Sequence, residues 1–141
     1  MMQIAAYDAG VAFTRAYVGN IHALSHPLSA FYGLPHGKTN ATILPYVLEA
    51  YGKNVYRSLA DLARKAELID NKDDEQAALA FLQMIRDLNV NLGIPNTIKE
   101  IKDEDLKALS AHAYHEANPL YPVPVIFNQQ QFIDMYLKVR G

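Results

Sequence analysis

Three of the chain's five histidines fall within residues 21–37, IHALSHPLSAFYGLPHG, as His22, His26 and His36. Residues four apart on an α-helix share a face, so His22 and His26 are spaced to bring two imidazoles to one centre. His36 joins them only if the turn over residues 27–35 folds back on that helix. Imidazole nitrogens ligate divalent iron or zinc well, and a carboxylate commonly completes such a set. The same spacing fits a surface pair or two hydrogen-bonded interior histidines, so spacing leaves both accounts open. His112 and His115 lie three apart in a charged helical pattern, where a solvated face is the simpler account. A metal-storage or metal-sensing bundle is disfavoured, because such bundles gather Glu-x-x-His pairs from several helices. Here His115 is followed directly by Glu116.

The elements that must position these residues read as helices almost throughout. From Met2 to about Ala23 apolar residues recur at spacings of three, four and seven. The small residues Ala5, Ala6, Ala9, Gly10, Ala12, Ala16 and Gly19 suggest a helix lying close against its neighbours. Pro27 restricts His26 and bends or ends that helix. SAFYGLPHG reads as a turn-rich connection punctuated by Gly33, Pro35 and Gly37. Thr39 or Asn40 is placed to cap a helix over ATILPYVLEAYG that stops at Gly52, with Pro45 in its first turns. NVYRSLADLARKAEL is the next helix. DDEQAALAFLQMIRDLNVNLG then opens on Asp73 and Asp74 at its positive end and closes at Gly93. IPNTIKEI is a linker, KDEDLKALSAHAYHEAN a helix with acids first, and PLYPVPVIF a proline-rich extended stretch. Asn128 caps a last helix, QQQFIDMYLKVR. The expected architecture is an all-α helical bundle of six helices, one domain over residues 1–141.

Composition narrows the function classes. Half the residues are hydrophobic and 20% are charged, the make-up of an ordinary folded domain. The net charge is −2 and no basic cluster occurs, so nothing recommends nucleic acid or an anionic membrane as partner. The absence of cysteine excludes disulfides and thiolate metal sites and fits a reducing compartment. The N-terminus lacks the charge-then-apolar pattern of a signal peptide, and no apolar run approaches the roughly 18 residues of a membrane span. A cytoplasmic location is the expectation.

The stretch AGVAFTRAYVGNIHALSHPLSAFYGLPHGKTNATILPYV closely resembles the signature region of the iron-containing (group III) alcohol dehydrogenases. Its elements are Ala-Gly-x-Ala-Phe at Ala9 to Phe13, Gly-x-x-His-Ala-x-x-His at Gly19 to His26, Pro-His-Gly at Pro35 to Gly37, and Asn-Ala-x-x-Leu-Pro at Asn40 to Pro45. LGIPNTIKEI and ANPLYPVPVIF are looser matches to the family's distal half. The resemblance implies a cation, Fe2+ or Zn2+, held by an Asp and three His, with His22 and His36 as the last two ligands. It implies that His26 faces the nicotinamide as the catalytic histidine, and that Phe13 lines the substrate pocket. It further implies that the metal acts as a Lewis acid on a small alcohol or aldehyde while hydride passes between substrate and NAD(P).

Two parts of the family pattern are missing. No Gly-rich loop follows a strand, and the Asp-Ala-x-x-His helix that supplies the first two ligands does not occur. The resemblance therefore implies the C-terminal part of such an enzyme. Its metal site is incomplete, and NAD(P) is bound only if an α/β cofactor-domain polypeptide is supplied. Little or no dehydrogenase activity is expected of the chain alone. The competing expectation is a helical binding or oligomerising module, or an inert remnant, which self-associates through uncovered helix faces. Phe31, Tyr32, Leu120 and Tyr121 could border a pocket, but simple packing is the plainer account of them.

Overall fold

The residues around the histidines fold as two helices joined by a very short link. The computed structural model describes residues 1–141 as seven α-helices and one 3-10 turn, with no strand. They are α1 (Met2–Ala16), α2 (Asn20–Tyr32), α3 (His36–Tyr51), α4 (Lys53–Lys65), α5 (Asp74–Asn91), α6 (Leu106–Ala117) and α7 (Gln129–Arg140), with the 3-10 turn at Asp103–Asp105 before α6. The all-α architecture is as the periodicity requires. No helix is long and apolar enough to cross a membrane.

The expected first helix is in fact two, which raises the count from six to seven. The chain breaks at Tyr17, whose φ of 60° is unusual for a bulky residue, and at the extended Gly19. Asn20 explains why the break lies there: its side chain is buried and its amide donates to the carbonyl of Val125 at 3.0 Å, fixing the start of α2 on the segment before α7. α1 does not lie against its neighbours as its small residues suggested. None of its residues is buried, and no hydrogen bond ties it to another element.

Pro27 does not end the helix either. α2 runs through it to Tyr32, because Leu24 and Leu28 on either side are buried in the core and hold the helix in place. Tyr136 of α7 donates its hydroxyl to the Leu24 carbonyl at 2.9 Å, close to the proline interruption. Gly33 then closes α2 in the left-handed conformation (φ 65°) that glycine adopts without strain, its N–H bonding to Ser29. The connection to α3 shrinks to Gly33, Leu34 and Pro35. Pro35, rather than Thr39 or Asn40, is the cap residue of α3, so His36 is the first helical residue. The Thr39 hydroxyl turns back to the Pro35 carbonyl at 3.0 Å.

Pro45 sits deeper in α3 than its expected place in the first turns. Its missing N–H would have met the carbonyl of Ala41, four residues earlier. The buried Asn89 of α5 supplies the proton instead, donating its side-chain amide to that carbonyl at 2.8 Å. α3 does stop at Gly52, and α7 spans the expected residues. Asn128 and Gln131 form a reciprocal capping box at the start of α7. Asp73 caps α5, accepting from the backbone N–H groups of Glu75 and Gln76. Residues 118–128 turn and bend rather than run extended.

The main core lies between α2, α3, α6 and α7. Leu24, Leu28, Ile43, Val47, Leu109, Phe132 and Tyr136 are almost fully buried in it. α4 and α5 pair closely, with Ala60, Ala63 and Ala77 forming a second small cluster whose short side chains let the helices approach. α3 touches both α5 and α7, and so joins this pair to the rest.

The Asn89–Ala41 contact gives a double-mutant test. Asn89→Ala leaves a buried carbonyl unpaired and should cost about 1–3 kcal/mol in urea unfolding. In a Pro45→Ala background, where the helix supplies its own N–H, the same substitution should cost clearly less. Additive costs would mean that the amide does not serve the proline gap.

Candidate metal centre

The three-residue link between α2 and α3 does what residues 27–35 were required to do: it folds His36 back onto the face that carries His22 and His26. The ring centroids are 5.7 Å apart for His22 and His26, 5.2 Å for His22 and His36, and 5.0 Å for His26 and His36, the last pair stacked. Spacing on α2 provides the first pair, and the helix hairpin provides the third member.

Asn40 lies one turn beyond His36 on α3 and completes the cluster. Its side-chain amide nitrogen is 2.9 Å from His36 Nε2 and 3.4 Å from His22 Nε2. A single N–H donor group thus meets the same nitrogen of two rings, and both Nε2 atoms approach one point in space. The Asn40 Oδ1 is buried without a partner. Ser25 Oγ lies 3.4 Å from His36 Nδ1 and donates to the His22 carbonyl at 3.2 Å. It fixes the ring from behind, in the manner of groups that orient metal-binding imidazoles. The donor chemistry suits two corners of a divalent-cation site. No group of three or more His, Cys, Asp or Glu side chains is arranged to hold an ion within this chain.

His26 faces a different partner. Its Nδ1 is 2.6 Å from Oε1 of Glu116 on α6, and the same oxygen accepts a 2.7 Å hydrogen bond from the hydroxyl of Tyr121. Burial, and next the bond to Glu116, push the Tyr121 pKa up to about 12, so the phenol stays a donor. Beside this trio opens a cleft of about 450 Å³ whose lining includes His26, Phe31, His112, His115 and Glu116. His112 and His115 are exposed, as the charged pattern suggested, yet they form a wall of this cleft, and His112 meets Phe31 edge-on at 5.9 Å. Tyr32 packs elsewhere, bonding Asp105 at 2.8 Å, and Leu120 is exposed. Phe13 is 53% exposed on the unpacked α1 and lines no cavity that holds a histidine.

Sequence reading missed Asn40 as a neighbour of the histidines, and it missed Glu116 altogether. For Glu116 one signal exists. It falls three residues after buried Ala113 and next to buried Ala117, on the face of α6 that packs inward. A carboxylate on an inward face calls for a partner.

A helical unit with imidazoles gathered at a helix hairpin, beside a carboxylate and an open cleft, defines a class of histidine-centred helical domain. Residues 1–139 match the Fe-containing alcohol dehydrogenase family, C-terminal, and the chain belongs to that family. Alcohol dehydrogenase 4 of Saccharomyces cerevisiae strain S288c is 36% identical over 141 residues, covering 97% of this chain and 35% of the yeast protein. Lactaldehyde reductase of Escherichia coli K12 is 32% identical over 115 residues, covering 79% of this chain and 30% of that enzyme. Among solved structures, 1,3-propanediol oxidoreductase superposes with a TM-score of 0.83 at 28% identity, covering 93% of this chain and 35% of that one. The alcohol dehydrogenase of Oenococcus oeni gives 0.82 at 29%, with 93% of this chain and 35% of that one covered. The chain spans about a third of the length of these relatives.

The crowding at the hairpin has a pH consequence. The His22 pKa is lowered, first by burial and then by the neighbouring charges of His36 and His26, with Glu116 opposing. Below the ordinary value of 6.5 the unfolded chain binds a proton that folded His22 resists. The His22 contribution to stability is therefore level above that pH, and it declines as pH falls from there through the lowered folded value. Urea unfolding of the metal-free chain across that range should show the decline, and His22→Gln should reduce its slope. Equal slopes in the two proteins would contradict this.

Proposed function

We propose that this chain is the metal- and substrate-facing helical part of an NAD(P)-dependent alcohol or aldehyde oxidoreductase. His22 and His36 are two of the cation's ligands, His26 is the catalytic imidazole beside the nicotinamide, and Phe13 belongs to the substrate pocket. The observation that supports this most is the approach of His22 Nε2 and His36 Nε2 to one amide of Asn40, in a chain of the iron-containing family. Fe2+ or Zn2+ supplies Lewis acidity at the alcohol oxygen, and NAD(P) carries the hydride. The chain's own residues hold the cation through two nitrogens, keep the His36 ring fixed against Ser25, and present His26 to the cleft. Two imidazoles alone bind such an ion weakly. The remaining ligands and the cofactor site come from an α/β polypeptide that meets this surface, and the isolated chain has little or no dehydrogenase activity. The location proposed is cytoplasmic, with the whole of residues 1–141 acting as one helical unit.

One observation favours a second reading, a helical module whose role is association, or a remnant that retains only that property. α1 exposes Met2, Ile4, Tyr7, Val11 and Phe13 and buries nothing. A helix apolar on several faces is normally covered. In this reading a homo-oligomer covers it. Concentration-dependent sedimentation should then reveal larger species that Ile4→Glu with Val11→Glu returns to monomer; a monomer at all concentrations would remove the reading.

Titration calorimetry with Fe2+ or Zn2+ tests the first reading. Weak but measurable binding that His22→Ala and His36→Ala each abolish is the expected result, together with no NAD(P)+-dependent alcohol oxidation by the chain alone. Absence of binding heat in the wild type, or binding indifferent to both substitutions, would overturn it.

A further inference from the structure

Glu116 has no assigned role in the reading above, yet it makes the shortest contact of any histidine in the cluster. Its Oε1 sits 2.6 Å from His26 Nδ1. The carboxylate does not wander, because Tyr121 donates to the same oxygen at 2.7 Å. Both partners stand on backbone fixed by the core: Glu116 next to buried Ala117 on α6, and Tyr121 in the segment whose Tyr121 N–H bonds the Ala117 carbonyl at 3.0 Å. A carboxylate at this distance takes a proton from the ring rather than giving one, so Nδ1 is the protonated nitrogen. The other ring nitrogen, Nε2, makes no hydrogen bond within the protein, and His26 lines the cleft.

From this geometry we propose that Glu116 is the positioning residue of His26: it fixes the Nδ1–H tautomer and leaves the Nε2 lone pair as the cleft's acceptor for a small hydroxyl ligand, with Tyr121 holding the carboxylate. An unconstrained neutral imidazole favours the opposite, Nε2–H tautomer. Without Glu116 the ring would therefore present a donor where an alcohol requires an acceptor. The inference about the ligand rests on the oxidoreductase reading; the tautomer assignment does not.

The test is nitrogen NMR of the full-length, metal-free chain labelled at its histidines, at a pH well above the ordinary histidine value of about 6.5. The expected spectrum shows pyrrole-type Nδ1 and pyridine-type Nε2 for His26. Glu116→Ala should shift the Nδ1–H to Nε2–H ratio by about tenfold towards Nε2–H, while His112→Ala on the same cleft leaves it unchanged. A wild-type His26 in the Nε2–H form overturns the proposal without reference to any variant. A Glu116→Ala protein that folds and keeps the Nδ1–H form overturns it as well. The two readings fail separately. Cation binding with an Nε2–H His26 sinks the positioning role alone. The expected tautomer without cation binding sinks the oxidoreductase reading and leaves the Glu116–His26 pair standing.

Discussion

The whole site depends on the tightness of the α2–α3 hairpin. Gly33 ends α2 in a left-handed conformation, and only Leu34 and Pro35 follow before α3 begins at His36. A longer connection would let His36 settle anywhere along α2. The three-residue link brings the first turn of α3 back onto α2, where His22 and His26 already share a side. The other two rings are then close enough to help lower the His22 pKa, after burial, and Asn40, one turn along α3, is carried to the same spot. His36 and Asn40 join the cluster through that turn, one helical turn apart on α3.

Keeping two prolines inside the helices of that hairpin raises a problem of buried polar groups. Each proline removes a donor from the helix it interrupts. At Pro45 the orphaned Ala41 carbonyl is met by Asn89 from α5. Pro27 orphans the Ala23 carbonyl, and one residue along, the hydroxyl of Tyr136 from α7 ties the Leu24 carbonyl to the core. Both partners lie far away in sequence, on α5 and α7, which each pack against α3. The hairpin therefore holds its shape only within the assembled bundle. Buried Asn89 and Tyr136 sit in the core for their polar ends as much as for their bulk.

α6 brings the third component. Leu109, Ser110, Ala113 and Ala117 turn one face of α6 into the core beside α2. That packing delivers Glu116 to His26, and the turn after α6 returns Tyr121 to the same carboxylate. Two imidazole nitrogens converge at one end of the cluster and an imidazole–carboxylate pair forms at the other. The former suits a cation, while the latter suits a hydroxyl in the cleft. α1 takes no part in either arrangement. Its apolar side chains are left uncovered by the bundle.

Helical periodicity, the acids that open α5, the cap at Asn128, the stop at Gly52 and the family signature from Ala9 to Pro45 were all legible in the sequence, because each is carried by local residue order. The pairing of His22 with His26 belongs to the same local kind. The break at Tyr17–Gly19 was not legible, since it follows from Asn20 reaching the distant Val125 carbonyl. Nor was the continuation of α2 through Pro27, which needs buried neighbours to outweigh a local helix breaker. Glu116 and Tyr121 looked like an unremarkable acid and a turn aromatic until packing set them beside His26, 90 residues from Glu116 along the chain. Sequence alone determined that the chain is helical nearly throughout and that His22 and His26 share a helix face. Tertiary structure decided which side chains meet, because a contact between residues far apart in the chain is fixed by the packing of whole helix faces, and local spacing carries no information about it.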